Sequence, residues 1–180
     1  MVDTKDFSNT NHFASDILES TGKGQAPSSF EDIVGYFEKQ HSGRFLVDRE
    51  AQAVHWVTAS DTGTYVTVVR WTEESSRLFI RIPEITRVPK DKRLAAAVLI
   101  DMINWQLAIG NFQMDHSDGE LAFRASLAVK DGHLGAEQME THFLAGVITA
   151  DFYLPAFYRL FWGKVSPEEA FASVNVEDGE

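Results

Sequence analysis

The stretch Thr64–Ile82, TYVTVVRWTEESSRLFIRI, contains two runs in which apolar and polar side chains alternate on either side of a polar centre. Alternation with a period of two is typical of β-strands, because successive side chains point to opposite faces of a sheet. With the turn at Glu73–Ser76, the sequence predicts an antiparallel hairpin of Tyr65–Thr72 and Arg77–Ile82. One side of that hairpin is apolar and is predicted to face the core: Thr67, Val69, Trp71, Leu78, Ile80 and Ile82.

The other side of the hairpin is mixed, with Val68 and Arg70 on the first strand and Arg77, Phe79 and Arg81 on the second. Arginine and aromatic residues are enriched where proteins contact one another. We therefore expect Arg70, Arg77, Phe79 and Arg81 to form a partner-binding surface, and an ordinary solvated sheet face is the alternative interpretation.

Before the hairpin, residues 1–27 have the polar composition of a solvated N-terminal arm. Ser28 and Glu31 form a capping-box pattern that begins a helix, which ends near Gln40 with Gly43 as the stop. Four apolar residues of this helix share one face: Phe30, Ile33, Val34 and Phe37. Two short strands follow, Phe45–Val47 and Val54–Ala59.

After the hairpin, the pattern predicts a helix opening near Asp91, a second hairpin, a long helix from Ala136 bent at Pro155, and a short helix starting at Ser166. The second hairpin joins Asn111–Asp115 to Glu120–Val129, and its turn uses Gly119. The order helix, three or four strands, helix, two strands, helix predicts an α+β fold, an antiparallel sheet with helices packed on one face. Residues 28–172 are predicted to be a single domain, and 173–180 an acidic tail.

The helix after Asp91 is apolar around most of its circumference, through Leu94, Val98, Leu99, Met102, Ile103 and Trp105. A helix of this kind is buried on several sides, against the sheet and against a further element. A second copy of the chain is one such element, and we expect a homodimer.

Charge and composition exclude several classes of function. The net charge of −11 disfavours nucleic acid and membrane surfaces as partners, although residues 70–93 alone carry +3. The absence of cysteine removes thiolate metal sites and cysteine nucleophiles. No targeting segment is evident, so we expect a cytoplasmic protein without a membrane span.

The sequence contains no Walker A loop, no Gly-x-Gly-x-x-Gly after a strand and no Gly-x-Ser-x-Gly elbow. A metal site from His116, Asp118 and His133 can be drawn, but turn positions account for these residues, and we predict no metal, no cofactor and no catalytic residue. Asp101 and Asn104 lie on the apolar second helix and are expected to be a buried pair, hydrogen-bonded to the backbone or across a subunit contact, and a polar functional spot is the alternative. Asp151 on the long helix is expected to pair with Arg159 or with another element.

The second half of the chain resembles the YbjN family, bacterial proteins described as sensory transduction regulators. The resemblance lies in Asn104, in Gly110–Asp115, in Asp118–Arg124 and in Ala150–Pro155, and extends over roughly Ser28 to Ala172. It implies a fold similar to type III secretion chaperones, commonly dimeric, and implies no enzymatic activity.

The leading hypothesis is a non-enzymatic regulatory or chaperone-like module that binds an unidentified protein. A sensor of small molecules or anions is the alternative. It would use the basic strip, which we define as the arginines of the mixed hairpin face together with Arg87, Lys90, Lys92 and Arg93. A third hypothesis is an enzyme whose residues converge only in three dimensions, near Asp101, Asp151 or His116.

Overall fold

In the computed structural model of the chain, residues 29–41, 45–72, 77–129 and 136–175 are described. These ranges form an α+β fold with one six-stranded antiparallel sheet, which confirms the predicted fold class. The elements are α1 (Phe30–Gln40), β1 (Phe45–Asp48), β2 (Ala53–Ala59), β3 (Thr64–Thr72), β4 (Arg77–Arg87), a 3-10 turn (Lys90–Lys92), α2 (Arg93–Gln106), β5 (Asn111–Met114), β6 (Glu120–Ala128), α3 (Ala136–Trp162) and α4 (Pro167–Ala172).

The strands lie in the order β1-β2-β3-β4-β6-β5, and each pair of neighbours is antiparallel. The predicted β3–β4 pairing is confirmed, since Trp71 lies opposite Leu78 and Val69 opposite Ile80. Strand β4 is longer than the sequence predicted and continues to Arg87. Its register with β6 shifts between Ile82 and Thr86, where a bulge interrupts the alternation that defined the shorter strand.

The core lies between the helices and the apolar face of the sheet. Helix α3 contacts β3, β4 and β6, and its predicted apolar stripe is buried: Met139, Phe143, Val147, Ala150, Leu154, Phe157 and Phe161. A Cβ atom on Gly146 would lie 3.1 Å from Phe123 Cδ1 and 3.2 Å from Ile82 Cδ1. The absence of a side chain at Gly146 therefore lets the helix approach the sheet closely.

Helix α1 begins one residue later than predicted. The capping box is formed by Ser29 and Asp32: the Asp32 N–H donates to Ser29 Oγ at 3.3 Å, and the Ser29 N–H donates to Asp32 Oδ2 at 3.0 Å. The prediction of Ser28 with Glu31 was wrong, because Glu31 instead pairs with Arg49 in the β1–β2 turn. Ser28 itself and the predicted stop Gly43 lie outside the described residues.

Helix α2 begins at Arg93 rather than near Asp91, because Lys90–Lys92 form the 3-10 turn. Asp101 is exposed, so it does not form a buried pair with Asn104 within this chain, and the alternative of a contact between subunits stays a prediction. Asn104 acts without it: its Oδ1 accepts from Phe112 N at 2.8 Å, and its Nδ2 donates to Phe112 O at 3.0 Å. Strand β5 lies at the edge of the sheet, so Asn104 takes the hydrogen-bonding positions that a further strand would occupy.

Asp151 fastens α3 to the turn between β2 and β3, and Arg159 is not its partner. Asp151 Oδ1 accepts hydrogen bonds from Ser60 Oγ at 2.5 Å, from Thr62 N at 3.0 Å and from Thr62 Oγ1. Burial by itself raises the pKa of the Asp151 carboxyl, but the hydrogen bonds from Ser60 and Thr62 outweigh it and leave that pKa below its usual value. The fold therefore stabilises the ionised form of the Asp151 carboxyl.

Among the described helices, none combines the length and the apolar character that crossing a membrane would require.

Replacing Asp151 by alanine is expected to lower the free energy of unfolding by about 1–3 kcal/mol, because three donors lose a charged acceptor. Urea titration of the full chain measures this. Because the folded-state pKa is lowered, the stabilisation is complete above the usual value of 3.8 and disappears as the pH falls through the folded value. The difference between the wild type and Asp151→Ala should therefore shrink in acid. The control is Asp61→Ala, which removes an exposed carboxylate of the same turn and keeps the backbone N–H of residue 61 that bonds to Asp151. It should lower the free energy of unfolding little.

Replacing Asn104 by alanine is expected to cost about 1–3 kcal/mol and to expose the strand edge, because the N–H of Phe112 loses its acceptor and its carbonyl keeps only the bond from Asn111 Nδ2 at 3.2 Å. Chemical denaturation and light scattering measure the two effects. Gln106→Ala, an exposed substitution on the same helix, serves as the matched control. Equal stability of the two variants would contradict the role given to Asn104.

Candidate protein-interaction surface

The sheet has one face turned away from the helices. Strand residues alternate between the two faces, so the residues that lie between the core residues along each strand point outwards on this face. We call this surface the open face, and its members are Leu46, Asp48, Ala53, His55, Val57, Val66, Val68, Arg70, Thr72, Arg77, Phe79, Arg81, Arg124, Ser126 and Ala128. Leu46, Val57 and Val66 are exposed, as are Arg70, Arg77 and Arg124. The open face is therefore a solvent-facing surface that mixes apolar and basic side chains. It also carries the exposed carboxylate of Asp48, whose Oδ1 accepts from Ala51 N at 2.9 Å.

The four residues predicted from the sequence to bind a partner are brought together on this face. Arg70 lies directly opposite Phe79 in the β3–β4 pair, and Arg81 lies opposite Val68. Arg77 is two residues before Phe79 on β4 and shares its face. Their part in binding stays a prediction, but their proximity follows from the register.

Arg124 on β6 completes the group and was not among the predicted residues. It lies opposite Arg81, and its guanidinium carbon is 5.2 Å from the centre of the Phe79 ring, in a cation–π contact. The alternation Ala122, Arg124, Ser126 marks it as outward-facing in the sequence. Its neighbours could not be predicted, because β6 pairs with β4 across a connection of 32 residues that includes α2.

Arg81 differs from the other arginines because it has an acidic partner. Its Nη2 donates to Glu120 Oε1 at 2.8 Å, and the same carboxylate oxygen accepts from Glu84 N at 3.1 Å. A depression of about 260 Å³ lies beside this pair, lined by Arg81, Gln113, Met114, Asp115, Glu120 and Ala122. The ion pair thus neutralises the end of the open face nearest the β5–β6 turn.

The basic strip proposed for anion binding does not form one surface. Arg87 pairs with Asp118 and, at 2.6 Å, with Glu84. A backbone hydrogen bond from Glu120 and the contact with Arg87 lower the pKa of Asp118, so this carboxylate is ionised beside the arginine.

One donor of Arg93 in the same strip is also engaged, although its buried Nε has no partner among the described residues. Its Nη1 donates to the carbonyl oxygens of His116 and Ser117 at 2.8 and 3.2 Å. Lys90 and Lys92 remain in the 3-10 turn before α2. The arginines after Arg81 therefore fasten the β5–β6 turn, which disfavours the anion-sensor alternative.

The residues considered for an enzyme lie on three different elements. Asp101 is exposed on α2, His116 is exposed in the β5–β6 turn, and Asp151 is bound to the β2–β3 turn. No group of three or more metal-ligating side chains occurs among the described residues, and His133 lies outside them. These residues do not converge as a catalytic group would.

A second exposed surface lies along α2. Leu94 is 82% exposed, Val98 43% and Trp105 86%, whereas Leu99 and Ile103 on the other side of the helix are buried in the core. One apolar side of α2 is thus buried in the core of this chain, and the other apolar side is exposed.

Comparisons with known proteins agree with this architecture. The model of the YbjN family, described as "Putative bacterial sensory transduction regulator", matches residues 37–159. No significant match exists among curated proteins. The crystal structure of YbjN, "a putative transcription regulator from E. coli", is 13% identical, with 68% of this chain and 86% of that chain covered and a TM-score of 0.51.

Two further solved structures are similar at lower scores. The HopA1–SchA chaperone–effector complex contains a chain that is 12% identical, with 67% of this chain and 89% of that chain covered and a TM-score of 0.45. The ExsC–ExsE complex contains one that is 14% identical, with 69% and 89% covered and a TM-score of 0.44.

Proposed function

The chain belongs to the YbjN family, and we propose that it is a non-enzymatic regulatory module that binds another protein through the open face. The family description supports a regulatory role. Residues 28–172 are proposed to be the family domain, preceded by the arm and followed by the acidic tail.

The observation that carries the proposal is the environment of Phe79. Around this half-buried ring lie Arg70 and Arg124, whose guanidinium groups have no ion-pair partner within the described ranges of the chain. Arginine and aromatic side chains of this kind supply much of the energy of protein contacts. The partner that fits is an acidic segment with apolar side chains, since it would cover Phe79 and neutralise the arginines.

Reversing two charges of the open face, Arg70→Glu with Arg77→Glu, is expected to abolish capture of a stoichiometric partner from lysate of the native cell. Both side chains are exposed, so the fold should be unaffected. The matched control is Arg159→Glu, which removes an exposed arginine from α3 and should retain the partner. Capture by the double variant at the wild-type level would refute the role of the open face.

We propose in addition that the chain forms a homodimer through the uncovered side of α2. Leu94, Val98, Met102 and Trp105 are spaced four, four and three residues apart, which is the spacing of a helix–helix contact. In a two-fold arrangement the same helix faces its own copy, and where the two helices run antiparallel Leu94 of one copy approaches Trp105 of the other.

Leu94→Glu combined with Trp105→Glu is expected to convert the dimer to a monomer, because two carboxylates per chain would be buried at the contact. Sedimentation velocity at several concentrations measures this. Trp162→Glu, at a 76% exposed tryptophan on α3, is the control and should remain dimeric. A wild-type chain that sediments as a monomer at all concentrations would end this part of the proposal.

A further inference from the structure

Three guanidinium groups on the open face have no carboxylate partner among the residues that the structure describes: those of Arg70, Arg77 and Arg124. Arg81, by contrast, is paired with Glu120. Exposed apolar side chains, Val57 and Val66, lie on the same face. A surface of this composition is complementary to a segment that is acidic and carries large apolar residues.

The chain itself contains such a segment. Asp6–Gly22, DFSNTNHFASDILESTG, has three carboxylates, no lysine and no arginine. Its acidic and large apolar residues are Asp6, Asp16 and Glu19, and Phe7, Phe13, Ile17 and Leu18. The segment lies outside the described residues and precedes Ser29, the first residue of the described fold.

The segment joins the fold at the end of the sheet where the unpaired arginines lie. Ser29 caps α1, and Glu31 in the first turn of that helix contacts Arg49 in the β1–β2 turn. The row of directly opposed residues beside this turn consists of Asp48, Ala53, Arg70, Phe79 and Ser126. Three strand spacings separate Asp48 from Phe79, a distance of about 14 Å at ~4.8 Å per strand.

The linker is long enough to reach this row. Glu19 precedes Ser29 by ten residues. A flexible chain of that length has a root-mean-square end-to-end distance of about 16–19 Å, close to the span from the β1–β2 turn to Phe79. A tether matched to its span gives an effective concentration in the millimolar range, so even a weak contact would be occupied.

We propose that Asp6–Gly22 docks on the open face of its own chain and competes there with the partner protein. The inference rests on the proposed function, because it names a regulator of the same surface. The segment's carboxylates approach Arg70 and Arg77, and its apolar residues cover Phe79. A partner then gains access by displacing the segment, and its apparent affinity is reduced by the fraction of chains in which the segment is docked.

A spin label tests the contact directly in the full chain. The protein has no cysteine, so Ser15→Cys provides one labelling site within the segment. Amide signals of Val68 and Phe79 should lose intensity relative to a diamagnetic label, whereas that of Val98 on α2 should not. Raising NaCl to about 0.5 M shortens the Debye length to about 4 Å and should restore the lost intensity.

Charge reversal supplies the specificity control. Asp16→Lys with Glu19→Lys should abolish the broadening, and adding Arg70→Glu with Arg77→Glu to that variant should recover it, because the charges then match again. Adding Arg159→Glu instead of the two open-face substitutions should not recover the broadening. Mixing the labelled chain with an unlabelled, isotope-enriched chain should leave the enriched signals sharp if docking is within one chain.

Failure of this inference and failure of the proposed function are distinguishable. If the spin label leaves the open face unbroadened, or if the broadening ignores the charge reversals, docking is wrong even where Arg70→Glu with Arg77→Glu abolishes partner capture. If the label broadens the open face but those two substitutions leave capture unchanged, the segment docks and the open face is not the partner site. If both hold, Asp16→Lys with Glu19→Lys should increase capture several-fold.

Discussion

The close approach of α3 to β4 and β6 is the contact on which the rest of the structure depends. Gly146 allows it, since a side chain there would press on Phe123 and Ile82. Once this face of the sheet is covered, the period of two directs every alternate residue of the same strands away from the helices. The open face is thus a consequence of where α3 packs, and its side chains are not constrained by packing against the helices.

Much of this arrangement could be predicted from alternation and helical periodicity, because each buried stripe repeats within a short stretch of chain. The α1 cap was misplaced by one residue because Ser28 with Glu31 and Ser29 with Asp32 offer the same spacing. The partners of Asn104, Arg124 and Asp151 could not be predicted, since each lies on another element whose position depends on the strand order.

Charge counted along the sequence and charge available on the surface are different quantities in this protein. Residues 70–93 read as one basic strip, yet Arg81 and Arg87 have carboxylate partners and Arg93 donates to carbonyl oxygens. The positive potential that remains lies around Phe79, at the opposite end of the sheet from the β5–β6 turn. A molecule with a net charge of −11 can therefore carry a local group of arginines that have no ion-pair partner among the described residues.

The side chain of Asn104 makes the two edges of the sheet different. At the β5 edge the outward N–H and C=O of Phe112 are occupied by an amide that α2 holds in place, whereas β1 forms the other edge. Head-to-tail stacking of copies through their strands needs two receptive edges, one to donate and one to accept. With the backbone of Phe112 occupied, the β5 edge is less available for such stacking than an edge whose backbone groups are all free.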